Sequence, residues 1–499
     1  GGNQREKGAG LSIHENKAMT RYSLILLLLV SIARAAAPPN VLFIAVDDMN
    51  DGITLFGEGR PYKTPHIRAL ARRGVFFSRA YCASAACNPS RAAILSGRRP
   101  HNTGVYGNDT DWRGATKGVL TLPEYFGRHG YYTAGCGKIY HHKADGAFND
   151  PGAWDHFRKM DPQYMPAKKL NGAPGYGSRN TDWGVWPKDR EETRTMDYKS
   201  VSYAIEVLKQ KHDKPFFLAV GFRKPHLPFC APSKYWDLYR RDSIPLPASI
   251  MHPELAPELA VRSWKELEGY SDIPADGKIT VEKMQELRHG YYACISYVDA
   301  LVGRLLDELR SLELEKSTVI CLWGDHGYHL GEQGLWTKAN NYELSTRVPL
   351  ILSVPGQKNP GSSTDALVEL VDIYPTLVGA CGLGVAREVE GTSLMPLLSR
   401  PERPWKRAVF SQYPRSYKGH RHRRHGDIMG YAVRTKNYRY VQWRDWKTGS
   451  ILARELYDQR LDPSEMHNIA EDEGQAGTLQ RLEKIMAGGW RALPSVNGR

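Results

Sequence analysis

The sequence predicts an α/β fold, a large and mostly parallel sheet flanked by helices, followed by a smaller C-terminal α+β domain. Three observations point there. Strand-length runs of wholly apolar residues recur, and each breaks off abruptly into charged or glycine-rich residues. Between them lie segments with helical periodicity and readable start and stop signals. Beyond about residue 404 the texture changes to adjacent short strands joined by a tight turn.

Taken in order, Val41 to Val46 is six apolar residues ending in Asp47-Asp48, the pattern of a strand buried on both faces. Thr64-Pro65 to Gly74 and Thr121-Leu122-Pro123 to Gly130 read as helices, with proline in the first turn and glycine after the last. Tyr131 to Gly135 is a strand running into Gly137-Lys138, and Phe216 to Val220 one running into Lys224-Pro225-His226. A long helix is expected from about Glu282 to Leu312, where Met284, Leu287, Tyr291, Ile295, Val298, Leu301, Leu305 and Leu309 make an apolar stripe suited to the core. Thr318 to Trp323 runs into Gly324-Asp325-His326, and Val348 to Val354 supplies a fifth strand of the same kind. Residues 145 to 195 and 230 to 280, rich in Gly, Pro, Trp and charge, read as long insertions around the mouth of a site. After Pro396, Tyr431 to Thr435 and Tyr438 to Trp443 pair through a turn at Lys436-Asn437, and a helix closes the chain from about Gly477 to Leu493. The domain reading is therefore residues 38–403 as the main domain and 404–499 as the small one.

The first 37 residues stand apart. Met19-Thr20-Arg21, an apolar run from Tyr22 to Ala33 and Ala33-Arg34-Ala35-Ala36-Ala37 have the layout of a secretory signal, so 19–37 is read as a signal peptide and 1–18 as an upstream extension. No other stretch has the length to span a bilayer, and the expectation is an exported protein without stable membrane insertion: periplasm or medium in a bacterium, lysosome in an animal. With 68 Lys+Arg against 54 Asp+Glu, the chain carries a formal charge of +14. That balance suits an acidic partner such as nucleic acid, anionic lipid or a sulfated or carboxylated glycan. Seven cysteines, an odd number in an exported chain, flag one thiol with a separate fate. The sequon Asn108-Asp109-Thr110 matters in a glycosylating host only.

In a parallel sheet, ligands bind beyond the carboxyl ends of the strands. Asp47, Asp48, Lys138, His226, Asp325 and His326 all follow strands, so parallel pairing gathers them at one edge. Three carboxylates are hard oxygen donors that favour Ca²⁺, with Mg²⁺ as the alternative. His326 makes Zn²⁺ a lesser candidate, since no Cys or second His has ligand spacing beside it. Any one such Asp on its own serves equally well as a helix cap. Cys87-Asn88-Pro89-Ser90-Arg91 opens a short helix ended by Ser96-Gly97, placing Cys87 where unpaired N–H groups and the helix dipole gather an anion. About 0.06 chance matches to C-x-P-x-[KR] are expected in a chain of this composition.

The chain resembles the type I, formylglycine-dependent sulfatases of the alkaline phosphatase superfamily, and within them the iduronate-2-sulfatase group. The similar blocks run in order from about residue 39 to 470: residues 40–48, Cys87 to Arg91 with 96–100, Gly137-Lys138-Ile139-Tyr140-His141, 216–229, Gly324-Asp325-His326-Gly327, Gly331-Glu332, Trp336-Thr337-Lys338, Ser411-Gln412-Tyr413-Pro414-Arg415 and Glu455-Leu456-Tyr457-Asp458. The resemblance implies that a formylglycine-generating or equivalent maturation enzyme converts Cys87 to formylglycine. One hydroxyl of its hydrate attacks sulfur, and deprotonating the other expels sulfate and restores the aldehyde. It further implies that Asp47, Asp48, Asp325 and His326 hold the metal with the modified Cys87, and that Arg91 steadies the hydrate. Lys138 and Lys338 hold sulfate oxygens, His141 bonds one hydroxyl, and His226 protonates the leaving oxygen.

Two departures bear on this. Asn88 replaces the Ala that often follows the modified cysteine, and Tyr328 stands where the iduronate-2-sulfatase group has Trp. Tyr328, together with Lys138, His226, Lys338 and Arg415, is taken as substrate-contacting. Within the basic run from Arg415 to Arg424, Lys418, His420 and His422 are positioned to meet a uronate carboxylate or simply to face solvent. The leading function is therefore sulfate removal from a sulfated glycan, with the 2-O-sulfate of a terminal uronic acid as candidate substrate and nucleic acid not expected as a partner. A phosphoester or phosphonate hydrolase on the same fold, and a catalytically silent glycan-binding protein, are the competing readings.

Overall fold

The computed structural model describes residues 1–3, 37–141, 150–161, 184–186, 189–262, 266–270, 273–274, 277–417 and 427–492. Most of the expected leader and extension, parts of both insertions, and Lys418, His420 and His422 lie outside the described residues. Residues 39–499 form one compact unit. Among the described residues no helix is long and apolar enough to cross a membrane.

Eight strands make the main sheet: β1 (Asn40–Asp47), β2 (Val75–Phe77), β3 (Tyr132–Gly137), β4 (His156–Arg158), β5 (Phe216–Pro225), β6 (Thr318–Gly324), β7 (Leu350–Ser353) and β8 (Ser362–Thr364). Their spatial order is β8-β2-β7-β6-β1-β5-β3-β4. Central β1 pairs in parallel with β5 and β6, and β3 and β4 extend the parallel run. The flanking helices are α1 (Pro65–Ala71), α2 (Cys87–Ser96), α3 (Leu122–Arg128), α4 (Met196–Lys209), α5 (Val281–Ser311) and α6 (Ile373–Ala380).

The unbroken apolar run of β1 is explained by cover on both faces. Leu42, Ile44 and Val46 point into one core with Val201 of α4 and Leu305 of α5. Val41, Phe43 and Ala45 point into another with Ile94 of α2, Phe126 of α3 and Leu377 of α6. At about 25 cal/mol per Å² of buried apolar area, two such layers dominate the stability of the sheet.

The fifth expected strand differs from expectation. Val348 belongs to a short separate strand, Arg347–Val348, and β7 runs antiparallel to both β6 and β2. Pro349 lies between the two pieces and has no N–H to donate to a ladder, while its carbonyl accepts from Gly324 N–H at 3.0 Å.

The C-terminal sheet is antiparallel in the order β9 (Ala408–Arg415), β10 (Ile428–Thr435), β11 (Tyr438–Asp445) and β12 (Ile451–Asp458), followed by α7 (Ala476–Gly488). Buried ion pairs tie it to the segment between β6 and β7. Glu343 accepts from Arg434 Nε at 2.9 Å and from Arg439, and Glu465 meets Arg439 Nε at 2.6 Å. A second group joins the end of α2 to the entry of α6 and the approach to β9: Arg99 and Lys406 both pair with Glu369, and Lys406 reaches Asp372 at 2.7 Å. All seven cysteines are buried and none is in a disulfide, so the odd count singles out no thiol, and Cys87 is distinguished by position alone.

Candidate active site

Parallel pairing does bring the strand ends together. Asp47 is the last residue of β1, and Asp48 turns away from it in the left-handed region with φ 61°. That strained turn is held on both sides. Asp48 N–H donates to Asp325 Oδ1 at 3.1 Å, and Tyr291 on α5 donates its hydroxyl to the Asp48 carbonyl at 2.5 Å. Adjacent carboxylates thus point into one small volume from different directions. Asp325, just past β6, completes the group.

Cys87 is the first residue of α2, whose C-cap Gly97 takes φ 65°, as the sequence pattern requires. Its sulfur lies 3.3 Å from His326 Nε2 and 3.5 Å from Lys138 Nζ. Asn88 anchors the start of this helix: its amide donates to the carbonyls of Gly107 at 3.0 Å and Thr110 at 2.8 Å, and its N–H donates to Asn108 Oδ1 at 3.0 Å. One turn along, Arg91 is buried with its fork fully used. Nε donates to Asp325 Oδ2 at 2.8 Å, an Nη to Asp47 Oδ1 at 3.3 Å, and the other Nη to the carbonyls of Lys138 and Ile139.

Lys138 follows β3 through Gly137, which takes φ 69°. A Cβ on Gly137 would lie 2.0 Å from the Gly221 carbonyl oxygen, and one on Gly221 would lie 2.2 Å from the Lys138 backbone. Two glycines facing each other therefore let β3 and β5 close up where the lysine leaves the sheet. Its Nζ pairs with Asp47. Lys338 reaches the group from the other side, 2.9 Å from Asp48 Oδ2 and 2.9 Å from Glu266 Oε2.

Charges here shift one another. Burial opposes ionisation of Asp47, yet Lys138, His226 and Arg91 hold its carboxyl well below the ordinary range. Burial, partly offset by Lys338 and reinforced by Asp47, pushes Asp48 up. Burial would lower the His326 imidazole, but Asp325 and the Cys87 sulfur hold it up at about 10. Burial and then Lys138 drive His141 down to about 3, so it is a neutral ring at working pH. His226 is lowered by burial and Lys338. Its Nδ1 is 2.8 Å from the Leu227 carbonyl, which sets the tautomer and leaves Nε2 facing Glu266 at 3.3 Å.

The donor set fits a hard divalent cation. One ligand atom each from Asp47, Cys87, Asp325 and His326 lie within 4.8 Å of one another, as do those of Asp47, Asp48, Cys87 and His226. Oxygen ligands at 2.3–2.6 Å from a Ca²⁺ stand about 5 Å apart across the ion. The carboxylate oxygens of Asp47, Asp48 and Asp325 are the hard donors such an ion takes.

Of the substrate-contacting candidates, Tyr328 is buried, stacked on Tyr291 with centroids 5.4 Å apart, and has Lys338 Nζ 5.7 Å from its ring centroid. Arg415 is employed otherwise. Its guanidinium donates to the carbonyls of Leu259 at 2.9 Å and Ala339 at 2.7 Å and lies over the rings of Tyr413 and Trp443. It braces the residue after Lys338. Sequence reasoning missed Glu266, which sits in an insertion without periodicity and offered no signal. It also left Tyr413 without a role, although the ring is fully buried against Ala86 and Ala339 beside the site.

Comparison with known proteins places the family and the fold. The family model described as Sulfatase matches residues 39–383, and that described as N-sulphoglucosamine sulphohydrolase, C-terminal, matches residues 331–489. Iduronate 2-sulfatase of Homo sapiens is 32% identical over 520 residues, covering 89% of this chain and 93% of that protein. A protein solved in complex with its substrate D-glucosamine-2-N,6-O-disulfate superposes with TM-score 0.72 at 22% identity, covering 90% of this chain and 97% of the other. The phosphonate monoester hydrolase of Agrobacterium radiobacter superposes with TM-score 0.74 at 24% identity over 90% and 95% of the two chains. At these identities the two solved structures speak to the fold.

Proposed function

Because this chain belongs to the sulfatase family and is a sulfatase, we propose that it removes sulfate from a sulfated carbohydrate by way of a formylglycine made from Cys87. The observation that carries the reading is the position of the Cys87 sulfur, at a helix start and within reach of both His326 and Lys138. In the matured enzyme this sulfur position stands for a hydroxyl oxygen of the aldehyde hydrate. Asp47, Asp48, Asp325 and His326 would hold a calcium ion, which when bound lowers the charge repulsion met by an incoming sulfate.

The remaining work falls to the chain's own groups. Lys138 and Lys338 take up the sulfate oxygens and the charge that grows on them in the transition state. Arg91 fixes Asp47 and Asp325 relative to the helix start, so that the nucleophile and its neighbours move as one body. His226, its Nδ1 tied to Leu227, turns Nε2 to the departing sugar oxygen and gives it a proton from the imidazolium form, which Glu266 and the negative charge of the incoming sulfate favour against burial and Lys338. His141, neutral, accepts or donates one hydrogen bond at the hydrate without competing for charge.

The favoured substrate is a uronic acid sulfated at O2 at a chain end, supported by the relative named iduronate 2-sulfatase. A basic protein whose +14 formal charge attracts polyanions suits that choice. Export by the leader at 19–37 and maturation by a separate formylglycine-forming enzyme belong to the same reading. A phosphonate or phosphate ester is the second reading, since a phosphonate monoester hydrolase shares the fold and the donor set accepts any tetrahedral anion. Turnover of matched aryl sulfate and aryl phosphate esters by protein whose Cys87 peptide carries the aldehyde decides it. Faster sulfate turnover is expected, and preference for the phosphate ester would overturn the proposal.

A further inference from the structure

Away from the strand-end site, a cleft of about 580 Å³ opens where the segment before β9, the β10–β11 turn and α7 meet. Its volume falls in the range of small-ligand pockets, roughly 300–1,000 Å³. Six of its lining residues are basic and two are acidic. Part of that charge is spent. Lys406 is neutralised by Glu369 and Asp372, and Arg79 stands 4.0 Å from Asp365. Arg407, Lys436 and Arg481 are exposed, and none of them makes an ion pair with a described residue, which leaves three cations facing a shared hollow.

The floor has a different chemistry. Trp405 and Tyr438 line the same hollow, and the indole N–H of Trp405 has no acceptor among the described residues. Flat apolar faces beside uncompensated guanidinium groups suit a ligand with alternating CH-rich surfaces and anionic substituents. A sulfated or carboxylated saccharide has that character.

Location separates the cleft from the chemistry. Lys406 and Arg407 immediately precede Ala408, the first residue of β9, whereas Arg415 at the other end braces the residue after Lys338. Eight residues of strand put the two ends about 24 Å apart. We propose that this cleft is a second saccharide site, which holds sulfated or uronate-bearing units of a polymer and so raises the effective concentration of its chain ends at the catalytic site. The proposal rests on the carbohydrate reading above.

Its test uses a heparin-derived octasaccharide as probe and the full chain carrying Arg407→Ala, Lys436→Ala and Arg481→Ala. These exposed positions leave thermal stability at the parent value. Octasaccharide binding, measured on protein whose Cys87 is left unmatured so that nothing is hydrolysed, is expected to weaken by about tenfold. In matured protein, KM for sulfated oligosaccharides rises while turnover of a small aryl sulfate stays unchanged. Equal binding by parent and triple variant overturns the proposal. So does single-stranded DNA of matched charge displacing the octasaccharide at equal concentration, which would mark a general anion surface. Absence of aryl sulfate turnover in the matured parent would instead remove the catalytic reading, with the binding result standing by itself.

Discussion

The sulfur of Cys87 and Nε2 of His326 lie 3.3 Å apart although 239 residues separate them in the chain. A helix start and a strand end meet at that point, and Arg91, bonded to Asp325 next door, locks the two elements together.

If Cys87 supplies the nucleophile and His326 one ligand of the ion, the two functions separate by mutation. Cys87→Ala is expected to lose at least about 10³-fold in kcat, since a whole chemical step goes with it. The same variant keeps most of the thermal shift produced by added Ca²⁺. Differential scanning calorimetry alongside an aryl sulfate assay reads both; retained turnover would remove the nucleophile assignment.

Asp325→Asn acts through the ion. Calcium at 100 times its dissociation constant stabilises the parent by about 2.7 kcal/mol, because it binds the folded form alone. In the variant that increment falls away, and activity with it. An equal calcium shift in parent and variant would mean the ion sits elsewhere.

Arg415→Ala tests whether this arginine reads a substrate carboxylate or braces the residue beside Lys338. Its hydrogen bonds to Ala339 and Leu259 predict lower thermal stability and a similar loss of kcat on charged and neutral substrates. A rise in KM confined to uronate-bearing substrates, with stability kept, would restore the direct role.

Glu369 governs acid stability. Burial opposes its ionisation, but Arg99 and Lys406 hold the folded carboxyl down at about 2, against 4.5 for the free group. A lowered folded pKa means stability that is present above about pH 4.5 and drains away as pH falls through about 2, on the order of 3 kcal/mol in all. Asp372, raised by burial, works in the opposite sense and softens the transition. Glu369→Gln should be less stable at pH 7 and flatter between pH 4.5 and 2 in urea titrations. A parallel, merely displaced curve would show that another group controls this limb.

How far the sequence could be read depended on where the information lay. The six apolar residues of β1 and the punctuation around α2 are local, so strand, helix and the placing of Asp47, Asp48 and Cys87 were legible without coordinates. The direction of β7 was not, because Leu350 to Ser353 would look the same in either orientation and only tertiary pairing chooses. Glu266 was invisible for a related reason: its meaning comes from His226 and Lys338, partners 40 and 72 residues distant on other elements. The uncommitted appearance of Arg415 in a basic run likewise hid the carbonyls of Leu259 and Ala339, acceptors far off in the chain.

Gly137 and Gly221 press backbone on backbone beneath Lys138, with no space for even a methyl group on either. A scaffold that is rigid there cannot drift by small steps: the ammonium it launches is fixed in height by main-chain contact instead of by side-chain packing. A change of substrate is then left to the surrounding loops, while the height of the ammonium stays set by the main chain.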